Sequence, residues 1–173
     1  MIATKYSAKY VYWDTQKQAV RHKSDIELYR ARGRLKLPKH VVRFDSHHEF
    51  RVYLELCRMY GSKNIIRQVS REIIPAGYCY PKGKKWKIDF ALVNNYLDSE
   101  IISFIEAKGA ITSEFINNLA WVEQFNELVL WQLMIVFPNK IPTNNKVINS
   151  LIERGWSKQI ITLKELRQRN KLI

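Results

Sequence analysis

Cysteine is nearly absent from this chain. Cys57 falls in a helical pattern and Cys79 in a turn-like stretch, so the two form neither a CxxC pair nor a disulfide framework, and structural zinc and secretion both lose support. Also missing is any apolar run near the roughly 18 residues that a membrane-spanning helix requires. The opening segment MIATKYSAKYVYWD has neither the apolar core nor the cleavage site of a secretory signal. These absences together lead us to expect a soluble, intracellular protein. Internal repeats and low-complexity linkers are absent too. With 173 residues, 46% of them hydrophobic, the chain suits one ordinary domain with a real core, and a second domain would have to be small.

Acidic residues are in short supply. Asp and Glu number 16 against 29 Lys and Arg, a net charge of +13. An excess of that size points to a polyanionic partner, nucleic acid before an anionic membrane surface because no basic amphipathic anchor stands out. A solvated basic surface without a ligand is the plainer alternative. KYSAKYVYWD interleaves Lys5 and Lys9 with Tyr6, Tyr10, Tyr12 and Trp13, and YRARGRLKLPKH adds Arg30, Arg32 and Arg34. Cations neutralise phosphates and ring faces stack on bases, so the segment reads either as an arm gripping a nucleic-acid backbone or as a strand and helix with wet charges. The loop YPKGKKWK places Lys82, Lys84, Lys85 and Lys87 just ahead of a strand. There they can hold phosphates or belong to a merely hydrated hairpin.

Periodicity sets the expected elements. FDSHHEFRVYLELCRMYGSK predicts a helix with Asp45 or Ser46 as N-cap, Gly61 at its stop and an apolar stripe of Phe50, Tyr53, Leu54 and Cys57. NIIRQVSREIIP, WKIDFALV and EIISFIEAKG predict strands, the last two joined as an antiparallel hairpin through the turn-rich NNYLDS. TSEFINNLAWVEQFNEL restarts a helix with Phe115, Leu119 and Val122 on one face, and WQLMIVFP predicts a buried strand. Trp121 and Trp131 are expected in the core. The remaining tail predicts helix, short strand and short helix. The expected fold is α/β with helices flanking a central sheet. Its parts are a basic aromatic extension over 1–43, a core over 44–138 and a C-terminal addition over 139–173 packed on that core.

Asp89 stands in the middle of an apolar strand, and Glu106 and Lys108 close the next one with only Ala107 between them. Strand positions two apart point the same way, roughly 6.6 Å apart at about 3.3 Å of rise per residue. Pairing of the two strands brings Asp89 beside Glu106. Two bare carboxylates about 4 Å apart repel by about 4 kcal/mol at an effective dielectric of about 20, so a proton, a lysine or a metal ion must offset them. Oxygen-only ligands suit Mg²⁺ or Mn²⁺, which polarise a phosphoryl oxygen and activate water. Lys108 can then orient or deprotonate that water and stabilise charge developing on phosphorus. A structural ion-pair cluster at a sheet edge is the alternative. Gln68 either faces this site or is an ordinary hydrogen-bonded strand residue, and His47 and His48 either contact phosphate or sit hydrated at a helix start.

Asp89, then Glu106, Ala107 and Lys108, with Glu49 in FDSHHEF on the preceding helix, together resemble the PD-(D/E)xK nuclease superfamily. FDSHHE, WKIDF and IEAKG are similar to the small endonucleases of phages and mobile elements, with Ile88 in place of the signature proline. The resemblance spans Phe44 to about Pro138. It implies a restriction-endonuclease-like core of helix, three-strand meander, helix and strand. It further implies Mg²⁺, with Mn²⁺ substituting, on Asp89, Glu106 and the backbone carbonyl of Ala107, and Lys108 as the catalytic lysine. Glu49 would assist the metal or its water, although Ser46-His47-His48-Glu49 is also a capping box. The implied function is a metal-dependent DNA endonuclease of homing, junction-resolving or nicking type, or the end-cleaving subunit of a transposase. Its expected partners are DNA and either a second copy or a partner nuclease, with no membrane and no small-molecule cofactor. The setting would be the cytoplasm of a bacterial or phage-infected cell. A non-catalytic DNA-binding module of the same fold, or a basic protein of a ribonucleoprotein, is the rival expectation.

Overall fold

The computed structural model describes residues 10–21, 26, 37–77, 80–94 and 100–170 of a mixed α/β chain. Lys5, Tyr6, Lys9, Arg30, Arg32, Arg34 and Cys79 lie outside the described residues. The chain divides into two compact units, Met1–Arg51 and Val52–Ile173. Among the described residues no helix is long and apolar enough to cross a membrane.

In the first unit, β1 (Val11–Asp14), β2 (Ala19–Arg21) and β3 (Val41–Phe44) form an antiparallel sheet in the order β2-β1-β3. Tyr12 and Val41 are buried with Ile26, and the rings of Trp13 and Phe44 meet Phe50 at centroid distances of 5.1 and 5.2 Å. Three of the aromatic residues expected in a phosphate arm or strand thus resolve as strand residues or their neighbour. Tyr12 is core, Trp13 is half-buried, and exposed Tyr10 carries the Arg43 guanidinium 4.8 Å over its ring.

Asp14 is fully buried, and a buried charge must be matched by donors. Its Oδ1 accepts the backbone N–H groups of Gln16 at 3.0 Å and Lys17 at 2.9 Å, closing the β1–β2 turn. Its Oδ2 accepts from Arg21 Nε at 2.9 Å, with His40 Nε2 at 3.9 Å. The Lys17 amide, joined by the Arg21 guanidinium, holds the carboxyl below the usual carboxylate range.

Helix α1 (His47–Tyr60) follows. Its deepest apolar residues in the second unit are Val52 and Leu56, whereas Tyr53, Leu54 and Cys57 of the expected stripe are only half-buried. Buried Glu55 masks the true period. It lies on the deep face because Arg58 Nη1 and Arg167 Nε donate to its Oε1 at 2.8 and 2.9 Å.

The sheet of the second unit has the order β4-β5-β6-β7-β8. Strands β4 (Ile65–Ile74), β5 (Lys84–Val93) and β6 (Ile101–Ala107) form an antiparallel meander, and β7 (Leu133–Phe137) and β8 (Ile160–Thr162) add in parallel. Parallel neighbours need a crossover. Helices α2 (Ser113–Phe125) and α3 (Glu127–Gln132) supply the first and α4 (Lys146–Glu153) the second, before the closing helix α5 (Leu163–Asn170). Thr112 starts α2 by accepting the Phe115 N–H on Oγ1 at 3.2 Å, and Phe115, Leu119 and Val122 are buried at helical spacing. Asn126 joins the two helices. Its N–H donates to Val122 O, its side-chain oxygen accepts from Val129 N, and its Nδ2 donates to Glu72 O of β4 at 2.9 Å. Phe90 stacks on Tyr53 of α1 at 6.1 Å, and Trp86 meets Phe115 of α2 at 6.0 Å, so both helices pack on the sheet.

One expectation for tryptophan needs correcting. Trp131 belongs to the last turn of α3 rather than to the strand, and it is 62% exposed with its ring stacked on Trp156 at 5.4 Å. Trp121 is half-buried against the core, with Lys84 Nζ 3.5 Å above its ring. For Trp131 the helix end leaves outside a ring that hydropathy alone assigns to the interior.

Gly83 closes the β4–β5 connection at φ +64°, and a Cβ there would fall 2.7 Å from Ile74 O. Gly83→Ala should therefore cost at least about 1–2 kcal/mol, measured as a lower urea midpoint. Asp14 yields a pH test. A carboxyl whose folded-state pKa is lowered stabilises fully above its unfolded value of about 3.9, and that stability is lost as pH falls through the folded-state value. Asp14→Asn should be less stable than the parent at pH 7, with the gap closing steadily below about pH 4; a gap independent of pH would rule out the ionic role.

Candidate active site

The β5–β6 register pairs Phe90 with Ile105 and Ala91 with Phe104. Continued by one step, it sets Asp89 against Glu106. The Asp89 N–H donates to Glu106 Oε2 at 3.3 Å, and the Ala107 N–H donates to Asp89 Oδ2 at 2.9 Å. The two carboxylates are thus laced to each other's strands. Lys108 Nζ lies 3.1 Å from Glu106 Oε1 and 4.6 Å from the centre of the Phe115 ring. Its backbone N–H donates to Val136 O at 2.9 Å, tying the end of β6 to β7. The Glu106 side chain is only 5% exposed and that of Lys108 21%. A buried acid therefore presents its charge partner towards the surface. The ammonium and the amide donors together offset the repulsion expected between the acids.

Gln68 completes the cluster from β4. It lies where the β4–β5 register would set it opposite Asp89, between the pairs Arg67–Phe90 and Val69–Ile88, and its Nε2 donates to Asp89 Oδ1 at 3.4 Å. Its backbone has φ +54°, a left-handed conformation in mid-strand that L-residues adopt at a cost. Of the two sequence readings, the one that turns Gln68 to the acids is the one the structure adopts. The positive φ has no signature in IIRQVS, which is why sequence alone left the two readings open.

Glu49 belongs to the first unit, where it starts α1. Its N–H donates to Ser46 Oγ at 3.0 Å, and its Oε2 accepts the Asp45 N–H at 2.7 Å. This is the capping arrangement displaced by one residue, since the carboxylate returns to Asp45 rather than to Ser46. Among the described residues no three acid, histidine or cysteine side chains converge as a metal-binding group. Of the loop cations, Lys82, Lys85 and Lys87 are exposed, whereas Lys84 is held over Trp121.

The strain at Gln68 is measurable. Gln68→Gly relieves the left-handed penalty and Gln68→Ala retains it, and both lose the amide to Asp89. The glycine variant should be more stable than the alanine variant by about 1 kcal/mol in urea unfolding, and equal stabilities would mean that the conformation carries no strain.

Comparison with known proteins finds no matching family model, no matching curated protein and no matching solved structure.

Proposed function

We propose that this chain is a Mg²⁺-dependent DNA endonuclease built on a restriction-endonuclease-like core. One observation carries the reading: Asp89 and Glu106 stand side by side on neighbouring strands with the Lys108 ammonium on Glu106. The order of elements, α1, an antiparallel meander, α2 with α3, and the parallel strand β7, agrees with that core. The charge of +13 supplies attraction for a polyanion.

The donor set fits a small hard cation. Mg²⁺ commonly takes one or two carboxylates, retains several waters and shares oxygens of a substrate phosphate, so two acids and the Ala107 carbonyl suffice. When bound, the ion polarises a phosphoryl oxygen and lowers the pKa of water. Asp89 is oriented for this task by the Ala107 N–H and the Gln68 amide. Lys108, braced by the Phe115 ring, is placed to hold water or to stabilise negative charge on the phosphate. Glu49, in the first unit, is an auxiliary acid only in what the resemblance implies, and capping is the role its contacts support. Lys82, Lys85 and Lys87, together with Arg30, Arg32 and Arg34, are the cations we assign to DNA. Cutting both strands takes two such sites, hence a second copy or a partner nuclease. Homing, junction-resolving and transposon-end-cleaving roles share this chemistry.

A non-catalytic DNA-binding module is the second reading. It draws on the donors that already engage both carboxylates, as in a purely structural ion-pair cluster.

Incubation with supercoiled, linear and branched DNA separates the two. Cleavage is expected with Mg²⁺ or Mn²⁺ and none with EDTA. Asp89→Ala and Lys108→Ala should each abolish cutting while DNA binding survives. Glu49→Gln should lower the single-turnover rate by roughly 10² or more, equivalent to about 2.7 kcal/mol of barrier, if the acid assists the metal. Undiminished cutting in EDTA, or by both alanine variants, would sink the proposal.

A further inference from the structure

Immediately after Lys108 the chain borders a pocket of about 470 Å³ that runs from Gly109 to the loop following β7. The volume lies within the roughly 300–1,000 Å³ of small-ligand sites. Its position is equally telling. Strands β6 and β7 run parallel and end at Ala107 and Phe137, so the pocket opens at their carboxyl ends, where ligands of open α/β sheets gather.

The walls are apolar, formed by Ile111, Phe137, Pro138 and Pro142. At the mouth are Asn139, Lys140 and Asn144, all exposed. Asn145 also borders the pocket, but its side-chain oxygen is taken by the N–H groups of Val147 and Ile148 at 3.1 and 3.3 Å, where it starts α4. Two amides and one cation are left for a ligand. A carboxamide offers donors and an acceptor together, which is the pattern along the edge of a nucleobase. Apolar walls take the faces of a flat ring, and a lysine at the rim takes a backbone phosphate. A base inside a duplex has both faces stacked and its pairing edge occupied, so only a base that has left the stack can enter.

We propose that this pocket receives one unpaired nucleobase of the strand that is cut at the site of Asp89, Glu106 and Lys108, which makes single-stranded or locally unpaired DNA the preferred substrate class. The inference rests on the nuclease reading given above and adds to it the form of DNA that is cut.

Binding measured by fluorescence polarisation in Ca²⁺ tests it, with three 20-nucleotide probes: a single strand, its duplex, and a single strand carrying a central run of abasic residues. The full-length protein should bind the single strand at least tenfold more tightly than the duplex, and the abasic run should remove most of that advantage. Asn139→Ala combined with Asn144→Ala, two exposed positions, should shrink the preference to less than threefold. Equal affinity for the base-bearing and abasic strands would overturn the inference with the parent protein alone. A plasmid and a single-stranded circle incubated in Mg²⁺ separate its failure from that of the underlying reading. If the nuclease reading is wrong, neither circle is cut. If only the pocket assignment is wrong, both are cut equally by the parent and by the double variant.

Discussion

Everything at the candidate site depends on the antiparallel pairing of β5 with β6. A slip of one residue in that pairing would turn every side chain of one strand to the opposite face. Ile88, Phe90 and Ile105 are fully buried, as are Ala91 and Phe104, and a slip would break the packing that each makes in its present place. Asp89 and Glu106 are therefore held together by the packing of the apolar residues beside them. Their mutual repulsion is met afterwards, by donors that the same pairing provides.

Those donors come from several elements. The Asp89 and Ala107 amides belong to the two strands themselves, the Gln68 amide to β4 and the Lys108 ammonium to the end of β6. Strand β6 is further fixed at its far side, where Ser103 Oγ donates to Gln132 O at 3.0 Å and Gln132 Nε2 donates to Ile101 O at 3.2 Å. Its site end is tied to β7 through Lys108 N and Val136 O. Held at both ends, the strand presents its carboxylate and ammonium from a rigid support, which a preorganised electrostatic site requires. The left-handed backbone of Gln68 fits the same picture, since strained residues persist only where the surroundings over-determine them.

The first unit obeys a similar logic at smaller scale. Buried Asp14 closes one turn through two backbone amides and pairs with Arg21 on the neighbouring strand, so a single carboxylate organises a sheet whose strands are only three or four residues long. Glu49 does comparable work for the start of α1 through Asp45 and Ser46. Both acids show how a cationic chain spends its few carboxylates. They sit at chain reversals and helix starts, where unsatisfied N–H groups collect.

Local pattern alone determined much of this protein. The meander, the helix after it and the buried strand LMIVF follow from alternation and helical spacing, which any short window of the chain displays. Asp89, Glu106 and Lys108 were legible because charges in apolar strands break that pattern. What tertiary structure decided was contact between segments far apart in sequence. It turned Gln68 towards Asp89 across 21 positions, drew Glu55 into the interior of its unit through Arg167 across 112, and left Trp131 outside on a helix end. It also formed the pocket beyond Lys108 from two segments far apart in the chain, one ending at Ile111 and the other beginning at Phe137. Hydropathy assigns each residue an environment from its own chemistry and that of its neighbours. Pair contacts and cavities depend on which strand ends the fold sets side by side, and that is a property of the packed sheet.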